Sequence, residues 1–340
     1  MLDVKSAAAS VANHSRFLDA YSFIRRKITG AYVAILMYHR VMPKEDDWSL
    51  TPLETHAFTA QLAFLTKNFE VVPLEYIANA LKKRKPLPQK AVAITFDDGY
   101  QDNYLHAYPI LKKYGVPATI FLTSSLIGTK KLFWWDKIRY IINHTSLKVL
   151  EYPDLGTYDL SLPSKRQKAA CIICEKLKIC PEDKKEVFIN DLNHLANVEI
   201  PDVLGEKMIL TWSQVKEMAS NGIDFGAHGV THSILTNLPF DKAKKDIIFS
   251  KKDIQEKLGK PVSAFSYPNG NFNNQLSDFL RKSGFNCAVV VQEKLVGSKT
   301  NIFELPRIDS SVEDFNKFKV MLSGFYPDLC SIRNKKDLSI

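Results

Sequence analysis

Short apolar runs, each handed on to a stretch of helical periodicity, recur along this 340-residue chain and restrict it to very few folds. Val33–Met37, Ala91–Phe96, Ala118–Leu122, Ile223–Ala227, Ala264–Tyr267, Ala288–Val291 and Leu305–Ile308 are largely apolar rather than alternating. That is the pattern of strands covered on both faces. Helical spacing fills the intervals at Thr55–Asn68, Leu74–Leu81, Asn103–Tyr114, Trp212–Ser220, Asp241–Leu258, Asn273–Ser283 and Val312–Leu322, with a short strand at Glu70–Val72. Strand and helix in alternation give a parallel sheet or a β/α barrel. The rhythm breaks between about Lys130 and Met208, where Trp134-Trp135, helical segments rich in Lys and Glu, and a polar loop at Pro153–Pro163 read as an insertion capping one face. Residues 1–31 read as a lead-in helix, with Phe17, Tyr21, Ile24 and Ile28 at helical spacing beside Arg25, Arg26 and Lys27. It is expected to pack across one end of the core, with contact to a membrane surface as the alternative.

Five cysteines (Cys171, Cys174, Cys180, Cys287 and Cys330), odd in number and thinly spread, argue against a disulfide framework and for a reducing compartment. Cys171 and Cys174 lie in an amphipathic helical stretch and read as small apolar residues rather than a metal or redox site. The formal charge of +9 comes from 46 Lys and Arg against 37 Asp and Glu, dispersed in short runs such as Lys82–Lys85 and Lys335-Lys336. Dispersed charge favours a solvated surface, and no basic-aromatic stripe marks a nucleic-acid binder. No run reaches the length of a membrane span, and no secretory signal follows Asp3 and Lys5. A cytoplasmic protein, at the inner membrane surface if the basic helix touches lipid, is therefore expected.

Chemistry-bearing residues gather at the carboxyl ends of the expected strands, where α/β folds build their sites. Asp97 and Asp98 follow Ala91–Phe96 directly. Two adjacent carboxylates repel and need a compensating cation when buried, and one is free to bind metal while the other handles a proton. His228 and His232, after Gly226-Ala227, are spaced to turn both rings to one side within a helical turn. Imidazole suits zinc and similar metals, and two His with one Asp leave positions open for water. Ser266-Tyr267-Pro268-Asn269-Gly270 closes another strand in a rigid turn with backbone groups available to an oxyanion or a sugar.

With these residues in place, the chain resembles the polysaccharide deacetylases with a NodB-type domain, carbohydrate esterase family 4, from about Tyr38 to Leu322. TFDDG at 95–99 and HGVTH at 228–232 carry the resemblance, supported by LMYHRV at 36–41, FWWD at 133–136, AFSYPNG at 264–270 and LPRID at 305–309. The resemblance implies a distorted β/α barrel over residues 32–325 as the catalytic domain, with a mainly helical insertion at about 130–208 and a tail at 326–340. It implies that Asp97 is the catalytic base and that Asp98, His228 and His232 hold a divalent metal. Zinc comes first, with cobalt, nickel, manganese or iron as alternatives. The backbone at Tyr267, beside Pro268, would lie near the oxyanion. The usual late histidine is missing, since no histidine follows His232. His39 is expected to replace it as general acid, as in the branch of the family whose C-terminal motif has moved to the N-terminus. The first and last strands of a barrel are neighbours, so His39 can reach the same mouth. The arginine that normally precedes the Tyr-Pro turn is replaced by Phe265 and Ser266, and Arg307 is expected to pair with Asp97 instead.

The expected reaction is removal of acetyl groups from an N-acetylated glycan or glycolipid, with Trp134 and Trp135 offering faces for sugar rings. An O-acetyl esterase and a non-catalytic glycan-binding protein are the alternatives. The sequence is silent on oligomeric state.

Overall fold

The computed structural model describes residues 15–30, 32–43, 52–153 and 155–330. Seven strands form its centre: β1 (Tyr32–Tyr38), β2 (Ala91–Phe96), β3 (Thr119–Leu122), β4 (Asp224–Ala227), β5 (Ala264–Ser266), β6 (Cys287–Val291) and β7 (Leu305–Asp309). Each pairs in parallel with its successor, and β7 pairs in parallel with β1, so the sheet closes into a barrel. Two short strands flank the ring: Glu70–Val71 alongside β2, and Val296–Gly297 antiparallel to β1. The β/α barrel expected from the alternation is the fold observed.

The two-residue period of the strands sorts their side chains into two clusters. Val33, Ile35, Ala93, Phe121, Val289 and Leu305 belong to one, closed at the amino-terminal end by Leu74, Ile77 and Leu81 of the helix Leu74–Lys82. Ala34, Leu36, Ile94, Phe96, Ile120, Val290 and Ile308 belong to the other, which also takes the apolar faces of the surrounding helices. Continuing the first face upward by steps of two leads to Thr95 on β2 and Asp97 just beyond it, Ser266 on β5, Val291 on β6 and Arg307 on β7. The alternation that fills the barrel therefore also delivers polar groups to its mouth.

Between β3 and β4 lies the insertion: helices Trp134–His144, Pro163–Leu177, Glu182–Ala196 and Asp202–Met208. The polar loop expected at Pro153–Pro163 contains instead the second strand of a hairpin, Val149–Tyr152 with Gly156–Asp159, because Leu150 and Tyr158 turn one face of this stretch into the core. Arg166 closes the carboxyl end of the first helix by donating to the carbonyls of Ile142 and Thr145 at 2.7 and 2.8 Å, groups a helix end leaves without partners. Gly205 lets Asp202–Met208 lie directly on the backbone at Lys130, where a Cβ would collide with the carbonyl.

The lead-in helix is described over Ser15–Thr29. Tyr21 and Arg25 bind Asp328, and Leu18 is buried, so the helix packs on the carboxyl-terminal end of the described chain. Ile24 and Ile28, expected on its packed stripe, are exposed together with Phe23. The stretch from residue 326, read as a tail, begins with buried Tyr326 and the paired Asp328. Lys335-Lys336 and residues 1–14 lie outside the described residues. Among the described residues, no helix is long and apolar enough to cross a membrane.

Candidate active site

Asp97 follows the last residue of β2 and remains in register, its N–H donating to Tyr38 O at 3.0 Å. Its carboxylate is buried and meets Arg307 side-on: Nη1 donates to Oδ1 at 2.7 Å and Nη2 to Oδ2 at 2.6 Å. Ser266 Oγ bridges the pair, donating to Asp97 at 3.2 Å and accepting from Arg307 at 3.0 Å, while Thr95 Oγ1 accepts from Arg307 at 3.2 Å. Burial alone would push the Asp97 carboxyl upward, but the guanidinium overrides it and holds Asp97 well below the usual carboxylate range. Arg307 thus reaches Asp97 as expected, and Ser266, which stands where an arginine was missed, joins the two.

Asp98 turns away from its neighbour through a left-handed backbone, φ 77°. Its Oδ1 lies 3.5 Å from His228 Nε2 and 3.5 Å from His232 Nε2, and has no hydrogen-bond partner. Burial and the charge of Asp97 push its carboxyl well above the usual range. His228 lies 2.7 Å from the Ser266 carbonyl through Nδ1; with the proton on that nitrogen, the Nε2 lone pair faces Asp98. Burial lowers both histidines, His232 strongly, which keeps the imidazoles neutral and able to ligate. The three side chains present ligand atoms within 4.8 Å of one another. A buried carboxylate oxygen without a partner, faced by two imidazole nitrogens, is the surrounding a divalent cation completes.

The histidine pair departs from expectation in one respect. His228–His232 is a loop, not a helical turn: Gly229 and His232 both adopt left-handed backbone, φ 76° and 62°. Left-handed geometry at a non-glycine residue is strained and persists where the surroundings enforce it. Here Val230 N–H bonds Asp246 at 3.0 Å, and the His232 ring lies edge-on to Trp135 at 4.6 Å.

Asp97, Asp98, His228 and His232 line one cleft of about 190 Å³ together with His39, Trp134, Trp135, Asn269 and Val291. His39, directly after β1, is placed in the cleft by its strand, and its carbonyl accepts from Asn103 at 2.9 Å. Trp135 is wall rather than platform: it stacks on Phe133 at 4.4 Å and donates through Nε1 to Tyr100 Oη at 2.9 Å. Trp134 is half-buried and keeps a face toward the cleft. Tyr267 corrects the expectation for the oxyanion. Its N–H is committed to Val289 O at 3.2 Å and its ring is fully buried, while Pro268 is buried beside the histidine loop at Gly229. Asn269, two residues on and at φ 57°, is the member of this turn that lines the cleft.

The sequence pattern of the polysaccharide deacetylase family matches residues 84–156 and 184–288. The Bacillus subtilis protein YxkH, which carries the polysaccharide deacetylase description, is 24% identical over 286 residues, covering 82% of this chain and 71% of that protein. The poly-beta-1,6-N-acetyl-D-glucosamine N-deacetylase of Staphylococcus aureus is 23% identical over 72% of this chain and 63% of its own length. The Escherichia coli protein of the same name is 37% identical over 99 residues, 29% of this chain and 15% of that protein. Among solved structures, the Streptococcus pyogenes deacetylase PplD in complex with acetate superposes with a TM-score of 0.59 at 20% identity, over 86% of this chain and 98% of that one. IcaB from Ammonifex degensii gives 0.55 at 18% identity, over 87% and 98%. At these identities the superpositions speak to the barrel fold.

Proposed function

Since this chain belongs to the polysaccharide deacetylase family, we propose that it hydrolyses the acetamido group of an N-acetylated amino sugar in a polysaccharide, oligosaccharide or lipid-linked glycan, releasing acetate. The observation that carries this reading is the adjacency, in one cleft, of the Asp97 carboxyl clamped by Arg307 and the Asp98 carboxyl facing the Nε2 atoms of two histidines. The names of the Staphylococcus aureus and Escherichia coli relatives support an N-acetylglucosamine substrate.

Asp98, His228 and His232 hold the cation in this reading, zinc first. When bound there it supplies Lewis acidity, polarising an acyl carbonyl and acidifying water. Asp97 is the base: Arg307 keeps it ionised and fixes its direction, so it accepts the proton of the attacking water. The water oxygen adds to the acetyl carbon, and the oxyanion that forms is met by a backbone N–H of the turn at Asn269. His39, as imidazolium, gives a proton to the departing nitrogen as the C–N bond breaks, which leaves acetate and a free amino sugar. Trp134 offers a face to the sugar ring.

Acetate release from N-acetylglucosamine oligosaccharides, followed with and without a chelator, tests this directly. Release that stops on chelation and returns with zinc supports the reading. Release only from O-acetyl esters would make the chain an esterase, and silence on both substrate types would leave a glycan-binding protein.

A further inference from the structure

The insertion contributes a wall of different character to the same cleft. Arg139, Glu175, Lys178 and Lys185 line it, three cations against one carboxylate. Arg139 is 7% exposed, and its Nε has no hydrogen-bond partner. Its Nη2 donates to the Cys171 sulfur, a weak acceptor, at 3.8 Å. Asp136, on the same helix, accepts from Tyr100 and makes no hydrogen bond to Arg139, although the guanidinium charge acts on its carboxyl. A guanidinium taken out of water without a strong acceptor is unfavourable unless something else supplies the oxygen atoms. Lys178 binds Glu175 at 2.7 Å, and the Lys185 ammonium sits over the Trp134 ring at 5.0 Å. Trp134 in turn meets Trp135, which packs on His232. Lys185 therefore stands beyond the two indoles, one step out from the histidines, and Arg139 and Lys178 line the same cleft. Cys174, Glu175 and Lys178 fall in residues 157–183, outside the matched family pattern.

The geometry points to a substrate whose N-acetylated sugar carries an oxyanion, phosphate or carboxylate, beside the unit that is deacetylated: the acetamido group enters at Asp97 while the anion seats on Arg139, flanked by Lys178 and Lys185. Arginine's planar fork takes two oxygens of either group, and the lysines add charge without fixing geometry. A neutral homopolymer leaves Arg139 Nε unpartnered and Nη2 on the weak sulfur acceptor of Cys171. This inference rests on the deacetylase reading and narrows it to anionic sugars.

The test compares kcat/KM for acetate release from a neutral N-acetylglucosamine oligosaccharide, from N-acetylglucosamine 1-phosphate and from N-acetylmuramic acid, in the zinc-loaded full chain, Arg139→Gln and Lys178→Gln. An anionic substrate favoured at least tenfold by the wild type, with the preference reduced in Lys178→Gln and abolished in Arg139→Gln, supports the proposal. Preference for the phosphate over the carboxylate, or the reverse, identifies the source of the oxyanion. Equal kcat/KM on neutral and anionic sugars, or a preference that survives both substitutions, overturns it. Lys178→Gln keeps the test informative if Arg139→Gln does not fold, because Lys178 is partly exposed. Calorimetric binding of the same three sugars to Asp97→Asn separates the two levels. Tight binding of the anionic sugars without acetate release from the wild type sinks the deacetylase reading and leaves the wall standing. Indifferent binding with normal release does the opposite.

Discussion

At the cleft the barrel presents a hydrogen-bonded carboxylate–guanidinium pair beside a carboxyl faced by two histidines, whereas the insertion presents a buried guanidinium with one nitrogen unpartnered. Asp97, Ser266 and Arg307 form a closed set of hydrogen bonds, and Asp98 is enclosed by two histidines. Arg139 keeps an unpartnered Nε, and Trp134 lines the cleft half-buried. The barrel rim is thus preorganised for a reaction, and the insertion for a ligand. Substitutions at the rim should act on kcat and stability; substitutions in the insertion should act on KM and on the joint between the two regions.

The largest effect is expected at the rim. Asp97→Asn keeps the shape but removes the base, so kcat should fall by about 10²–10⁴-fold, the range of a general base, with bound metal unchanged in elemental analysis. Loss of the metal along with the activity would mean that Asp97 belongs to the ligand set. Next comes Arg307→Met, which leaves Asp97 buried without its counter-charge. Denaturant unfolding should show a loss of about 3–5 kcal/mol, the cost of orphaning one partner of a buried ion pair. A loss below about 1 kcal/mol would show that Asp97 is wetter than its burial suggests.

Asp136 tests the joint. It stands on the first helix of the insertion, accepts from Tyr100 at 2.8 Å, and is pushed up to about 6 chiefly by burial. Because its folded value lies above the unfolded one, the native state keeps the proton longer. Stability should therefore be greatest near pH 4 and decline as pH rises to about 6, by up to about 3 kcal/mol for this group. Asp136→Asn should flatten that decline in metal-free protein. An unchanged profile would assign the dependence to other carboxyls. The smallest effect is expected at Trp134→Ala: KM raised up to about tenfold with kcat nearly unchanged, the value of one aromatic face. A fall in kcat alone would place Trp134 with the rim.

The difference between the regions also explains what the sequence reveals. Strand runs and their terminal residues are local signals, so TFDDG and HGVTH were legible, and so was the partnership of Asp97 with Arg307. That last pair was expected from the resemblance, and the strand period accounts for it: Arg307 lies two residues beyond Leu305, as Asp97 lies four beyond Ala93, and both continue the interior face. Backbone excursions were less legible. The i, i+4 spacing of His228 and His232 suggested a helical turn, but Gly229 and His232 take left-handed backbone and bring the rings together in a loop. The same kind of excursion at Asn269 moves the cleft-lining position two residues past Tyr267. Arg139, Lys178 and Lys185 were illegible as a group. They lie on helices whose mutual packing is set by tertiary contacts such as Gly205 on Lys130, and no spacing in the sequence announces them.

The pairing of β7 with β1 makes the order of the strands circular, so where such a chain begins is a convention of its gene rather than of its chemistry. A permuted polypeptide opened after His39 and rejoined elsewhere would keep every strand neighbour while carrying that histidine at its far end. A histidine near the start of one chain and a histidine near the end of another can thus be the same residue of the barrel, read from a different cut.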